Sequence, residues 1–192
     1  MFNDKHFLTD SVLAGIKTVT RRKIPYKTLI KWGVNKFTFP DLAKDLIQDS
    51  PYKIGDKLAI LQPYRLCTGF IKELEEFKGL SWEETEARLK ALPGWWNKMF
   101  AKADWMPYHI EITGIRAEYL HAITGEDCMK EGIRSDQILG HPFQKFFFGN
   151  NFRYYDTPRI AFARLYDCVS GKGEWEKNPF VYVYEFKLVK NV

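Results

Sequence analysis

Long apolar runs are missing from this 192-residue chain: none reaches the roughly 18 residues a bilayer crossing needs. The N-terminus lacks the basic, apolar and small-residue succession of a signal peptide. Cysteine is scarce. Cys67, Cys128 and Cys168 are odd in number and far apart, which excludes a disulfide framework and gives no metal-type spacing. The four histidines are equally scattered. The expectation is a reducing, cytoplasmic setting with no structural metal, no cofactor and no membrane partner. Internal repeats, linkers and low-complexity tracts are also absent. The chain therefore reads as one domain over 1–192, long enough for a full hydrophobic core.

What is present is uneven charge and abundant aromatic residues. The net charge is +5. Residues 1–36 hold Lys5, Lys17, Arg21, Arg22, Lys23, Lys27, Lys31 and Lys36 against Asp4 and Asp10, an excess of six positive charges. A basic segment of this kind is the footprint expected for phosphate-bearing ligands, although many ordinary proteins have a basic end. Residues 73–91 are net acidic and read as a solvated helix face. Aromatics make up 16% of the chain, and they gather at Trp95-Trp96, Trp105 and Phe143 to Tyr155.

Local patterns give an α+β class. Ser11 to Ala14 reads as the end of a short helix capped by Asp10. Residues 53–62 read as a Gly-Asp turn feeding a strand, and residues 81–91 as a helix with a Ser81/Glu84 capping box. Residues 108–116 alternate as a strand with an irregularity at Gly114. Thr124 opens a short helix that ends at Gly132, and Thr157-Pro158 opens a longer one with Ile160, Ala161, Ala163, Leu165 and Val169 on its core face. Phe180 to Val189 is the strongest strand signal. Helices and strands do not alternate regularly, which favours a small mixed barrel or curved sheet flanked by helices over a doubly wound sheet. Segments 26–50, 63–106 and 134–157 read as insertions between core strands.

The densest chemistry lies in Gly15-Ile16-Lys17-Thr18-Val19-Thr20-Arg21-Arg22. Gly15 suits a left-handed helix stop, and the β-branched run after it favours extended chain. Alternation would set Thr18, Thr20 and Arg22 on one face, with Lys17 at the bend free to lean either way. A hydroxyl, a guanidinium and an amine would then converge, suiting a polyanion or a polar carbonyl substrate. A solvated basic turn is the plain alternative.

Three further segments follow in order: the Gly55-Asp56 strand entry, a strand and helix running from Ile112 to Glu131-Gly132, and Trp175-x-x-Asn178-Pro179 before the last strand. With Gly15-x-Lys17-x-x-Thr20-x-Arg22 this set resembles the ASCH domain, a member of the PUA-like β-barrel superfamily, in the long form found in bacteriophages and bacteria. The resemblance covers both ends and the middle of the chain but not the insertions. It implies a PUA-like mixed barrel with a cleft for RNA or a modified nucleoside or nucleotide, in a bacterial cell or a phage-infected host. Bacterial N(4)-acetylcytidine amidohydrolases are shorter members with a lysine, a threonine and a glutamate at their site, which fall here on Lys17, Thr20 and Glu131.

That carry-over implies amide hydrolysis on a modified base. Lys17 would be the base, Thr20 the nucleophile and Glu131 the acid, since a desolvated amine can activate a hydroxyl and a carboxyl in an apolar site can hold a proton. Thr18, Arg21, Arg22, Trp175 and Asn178 would contact ligand or shape the cleft. Where many relatives carry a carboxylate after the Gly-Asp strand, this chain has Gln62-Pro63. Four readings stay open: a binding-only cleft, an amidohydrolase or ribonuclease, a hydrogen-bonded brace of the same three side chains, and a phage accessory protein that binds a host protein. The aromatic clusters could stack bases at about 1–3 kcal/mol each, but they more simply seal inserted loops onto the core. Arg153 and Arg159 with Tyr154-Tyr155 form a second basic-aromatic spot, whereas His109 reads as a plain strand residue.

Overall fold

β-Branched and aromatic residues dominate Phe180–Lys190 and Val19–Lys23, and the two segments pair antiparallel, with Val19 opposite Glu185 and Lys23 opposite Val181. They belong to a computed structural model that describes residues 6–32, 40–138, 143–150 and 153–190. Of the residues singled out above, Asp4, Lys5, Lys36 and Phe152 lie outside these.

In chain order the strands are β1 (Val19–Lys23), β2 (Lys57–Ala59), β3 (Tyr108–Tyr119), β4 (Arg134–Asp136), β5 (Lys145–Phe147) and β6 (Phe180–Lys190). The helices are α1 (Leu8–Leu13), α2 (Tyr26–Lys31), α3 (Pro40–Gln48), α4 (Thr68–Lys72), α5 (Trp82–Lys90), α6 (Gly125–Lys130) and α7 (Pro158–Ser170). The class is α+β. β1, β6, β3 and β2 form one antiparallel sheet in that order, and β4 and β5 form a separate hairpin. A closed barrel was the expectation. Among the described residues the main sheet is open, with β1 and β2 as its edges.

The chain divides into two compact units. The larger comprises residues 3–56 and 112–187 and carries β1, most of β6 and most of β3. The amide of Leu120 donates to the carbonyl of Pro179 (2.9 Å), which sets the end of β3 beside the start of β6. Buried Val181, Val183, Leu120, Ile123, Cys128, Ile133, Ala161, Phe162 and Leu165 supply its apolar interior. The cap signals hold where they are local. Thr124 accepts from Asp127 N (3.1 Å) at the start of α6, and Thr157 accepts from Ile160 N (3.2 Å) at the start of α7.

Three local expectations are corrected. α1 begins after Phe7, which has φ 55°, so Asp10 lies inside the first turn and is not the cap. Ile160 of α7 is 47% exposed and Val169 is exposed too, while Phe162 and Tyr166 fill the core face instead. The helix is turned so that its aromatics, which bury more area, face inward. β3 runs unbroken through Gly114. A Cβ there would lie 3.0 Å from Glu185 Oε2 on β6, so a close approach, not a bulge, explains the glycine.

The smaller unit comprises residues 57–111 and 188–192, with residues 1–2, and contains the 63–106 insertion. Tyr64, Ile71, Phe77, Leu89, Trp95, Trp105 and Met106 form its own core. Trp105 stands edge-on to Phe77 (ring centroids 5.0 Å apart) and tilted against Tyr64 (5.4 Å). The Tyr64 hydroxyl accepts from Lys102 N (3.0 Å), which satisfies its polar end. Tyr64, Phe77, Trp95 and Trp105 are thus packing residues, whereas Trp82, Phe100 and Trp96, the last beneath the Arg65 guanidinium, are exposed. The Ser81/Glu84 capping box is present in full at the start of α5.

Burial pushes the Cys67 thiol up to about 11 and the Cys128 thiol up to about 12, whereas Cys168 is exposed on α7. A native-state thiol titration at pH 8 should therefore detect one fast-reacting cysteine, lost in Cys168→Ser, and all three after unfolding. Rapid reaction of Cys128 in the folded protein would contradict this packing.

Candidate functional site

Lys17 enters the structure at a bend. Gly15 adopts φ 71°, open only to residues without a Cβ clash, and the amides of Ile16 and Lys17 both donate to the carbonyl of Ser11 (2.9 Å each). The chain then becomes β1. Some hundred residues later α6 ends at Glu131, and Gly132 (φ 101°) turns the chain away.

A helix end leaves backbone carbonyls without partners. In α6 two of these are met by the bend: Thr18 N donates to Lys130 O (2.9 Å), and Lys17 Nζ donates to Glu131 O (2.9 Å). Lys17 Nζ also donates to Val19 O (2.8 Å) and to Glu131 Oε2. All three ammonium donors are engaged. The second carboxylate oxygen, Glu131 Oε1, accepts from Arg21 Nη1 at 3.2 Å. Lys17, Arg21 and Glu131 are 2%, 5% and 4% exposed.

The network extends along β3. Arg21 Nη2 donates to Glu118 Oε1 and Asp127 Oδ2, both at 2.7 Å, and the guanidinium lies over the Phe162 ring at 6.0 Å. Arg116 bonds Glu118 Oε2 (3.1 Å), Asp127 Oδ2 and Glu185 Oε1. Three cations (Lys17, Arg21, Arg116) thus interlock with four carboxylates (Glu118, Asp127, Glu131, Glu185). Burial pulls the Lys17 amine below the ordinary lysine value, with the Glu131 carboxylate opposing. Arg21 meets the same burial penalty, but Glu131, Glu118 and Asp127 overcome it and hold the guanidinium above its usual value.

The expected constellation is rearranged. Lys17 and Glu131 meet directly. Arg21 takes the third place, because strand alternation turns Arg21 toward Glu131 and Thr20 to the opposite face, where its register partner is Tyr184. Arg21 is committed to protein carboxylates and does not face solvent. Arg22, beside Thr20's face, is half-buried opposite Tyr182. Thr18 contributes backbone: besides its amide bond to Lys130, its carbonyl accepts from Phe186 N (2.9 Å). Trp175 packs on His121 (ring centroids 4.5 Å apart) beneath Arg159, and Asn178, with φ 43°, accepts from His121 N (2.7 Å). Both fix the entry to β6.

A groove of about 400 Å³ adjoins the pair. Its walls are Ile16 and Lys130, the residues just before Lys17 and Glu131, together with Met129, Ile133, Arg134, Ser135 and Phe147. Arg134 on β4 and Phe147 on β5 are register partners, and the guanidinium carbon stands 5.0 Å from the ring centroid. Arg116, Glu118 and Asp127 were not singled out from sequence as site residues, nor were Arg134 and Phe147 as a pair. The alternating Arg116-x-Glu118 on a strand was the available signal for the first group. The register of the 134–157 hairpin has no comparable one.

Among the described residues no helix is long and apolar enough to cross a membrane, and no group of three or more His, Cys, Asp or Glu is arranged to hold a metal. Comparison with known proteins gives no matching family model, curated protein or solved structure.

Two consequences are measurable. Glu131→Ala leaves Lys17 and Arg21 facing one another without their shared carboxylate, and removing one partner of a buried ion pair costs about 3–5 kcal/mol. The urea midpoint should fall accordingly; an unchanged midpoint would mean the network contributes nothing. The pH dependence has a definite sign. Because the folded-state Lys17 pKa lies below the unfolded value of 10.5, the folded chain binds fewer protons below that pH, and stability gains from Lys17 as pH rises toward it. Lys17→Met should make the stability profile between pH 8 and 10 less rising than that of the wild type, and parallel profiles would refute the assignment.

Proposed function

We propose that the chain is an ASCH-type, PUA-like protein that binds RNA or a modified nucleoside at the groove beside its Gly15-x-Lys17-x-x-Thr20-x-Arg22 segment. The observation that carries this reading is the coupling of Lys17 to Glu131 across 114 residues, with Ile16 and Lys130, their immediate neighbours, lining one groove. The motif residues adjoin the walls in sequence, and the walls bear cationic, aromatic and aliphatic groups suited to a base and a phosphate. The basic N-terminal segment adds long-range attraction for a polyanion. The kinship is argued from this motif and its partner carboxylate, since the sheet itself is open.

Hydrolysis of an acylated base is the second reading, favoured by the desolvated amine of Lys17 beside a carboxylate. It requires the Thr20 hydroxyl to reach an amine whose three donors are engaged, from the opposite face of β1. Binding is therefore preferred. The test is titration of wild-type protein with a fluorescent single-stranded RNA at several salt concentrations, alongside incubation with N(4)-acetylcytidine. Binding is expected, weakening as salt rises because phosphate contacts release counterions, with no acetate formed. Acetate release abolished by Lys17→Ala and Glu131→Gln would replace the binding reading with the hydrolase. Neither binding nor turnover would remove both.

A further inference from the structure

Arg134 differs from the other guanidiniums around the sheet of the larger unit. Arg21 and Arg116 are surrounded by carboxylates, and Arg159 donates to the carbonyls of Ile123 (2.8 Å) and His121 (2.7 Å). Arg134 is half-buried, and among the described residues it forms no ion pair. Its Nη2 donates to Gly149 O (2.8 Å), while its Nε is shielded from solvent without any hydrogen-bond partner. A buried donor left unmatched costs about 1–3 kcal/mol, and more on a charged group. A cation in that condition on the wall of a groove lacks an anion.

The rest of the groove limits what that anion is attached to. Lys130 adds a second positive charge, held in a largely exposed pair with Glu126 (2.6 Å), one turn earlier. Ser135 carries a hydroxyl that already accepts from Gln144 (2.8 Å) and keeps its own proton to donate. The remaining lining residues Ile16, Met129 and Phe147 are apolar, and Phe147 offers an aromatic ring. Inorganic phosphate alone would leave those residues uncovered, and a purely apolar ligand would leave Arg134 unmatched.

Resting on the binding function above and deepening it, we propose that the β4–β5 hairpin forms a seat for a single nucleotide. The phosphate is held by Arg134, Lys130 and the Ser135 hydroxyl, and the base lies against Phe147, Ile16 and Met129. Because Arg134 already stacks on Phe147, nucleotide binding draws the guanidinium toward the phosphate and opens the ring to the base. The inserted hairpin, not the motif itself, then supplies recognition.

The test is calorimetric titration of the full chain with uridine and adenosine 5′-monophosphates, the matching nucleosides and inorganic phosphate. The monophosphates should bind at least tenfold more tightly than either the nucleosides or phosphate. Phe147→Leu should lose most of that advantage over phosphate while leaving phosphate binding unchanged. Arg134→Gln should lose the advantage over nucleosides. Arg134→Lys, which keeps the charge and the packing stem, should recover part of it, and circular dichroism should show all three variants folded. Phosphate binding as tightly as the nucleotides would overturn the base seat. Single-stranded RNA bound with wild-type affinity by folded Phe147→Leu and Arg134→Gln would overturn this seat while leaving the RNA-binding function intact. If neither RNA nor any mononucleotide binds wild-type protein, the function itself fails and the seat with it.

Discussion

One carboxylate joins the two ends of the fold. Glu131 sits at the C-terminal end of α6, where the helix dipole is negative and disfavours an acidic side chain. Its position is tolerable because two cations from the opposite end of the chain, Lys17 and Arg21, each take one of its oxygens. Lys17 also caps the helix by bonding the Glu131 carbonyl. A single ammonium thus neutralises an ill-placed carboxylate, satisfies an orphan carbonyl and ties both to β1 through Val19 O. The placement of α6, and with it the floor of the groove and the route into β4, follows from these bonds. An apolar replacement could pack as well, but it could not meet the backbone groups that Lys17 meets.

Features encoded within a few residues were legible from sequence. Gly15 and Gly132 punctuate helices, Ser81 with Glu84 and Thr157 before Pro158 open them, and Phe180 to Val189 is a strand inside the sheet. Each signal is local, so each survives without knowledge of the rest of the fold. The pairing of Lys17 with Glu131 was reached only through resemblance, since no local rule links residues so far apart. What failed depended on phase or on distant partners. Alternation correctly separates Thr20 from Arg21, yet it does not say which face will meet a carboxylate from α6. Asp10 satisfies a cap rule that Phe7 displaces, and the inward face of α7 is decided by which aromatics have a surface to cover. Barrel closure is the extreme case, because it depends on edge pairings far apart in the chain that carry no signature in either strand.

Two kinds of charged side chain coexist in the larger unit, those matched by opposite charges and those not, and their difference separates architecture from candidate function. In the network around Arg21 every cation faces carboxylates, and every carboxylate there has a cation, so the site is electrostatically closed. A ligand entering it would have to displace bonds already made in a low-dielectric setting, at high cost. Among the described residues Arg134 has no such partners. The motif that dominates the sequence is therefore a rigid support, and the proposed contacting groups are its immediate neighbours Ile16 and Lys130 and residues on the hairpin.

This division also bears on the basic composition near the N-terminus, whose charges differ in how firmly the fold commits them. Lys17 and Arg21 count toward positive charge, but both are neutralised within the fold and project no field to a polyanion at close range. Lys23 and Lys31 are exposed, yet each is paired with an acid, Glu174 and Asp49 respectively. Surface pairs of this kind are worth little and open readily, so these lysines can exchange a carboxylate for a phosphate where Lys17 cannot. On the proposed binding function, attraction and recognition fall to different residues. Loosely paired surface lysines would draw the polyanion in, and Arg134, which forms no ion pair among the described residues and is held against the Phe147 ring, would determine where it stops.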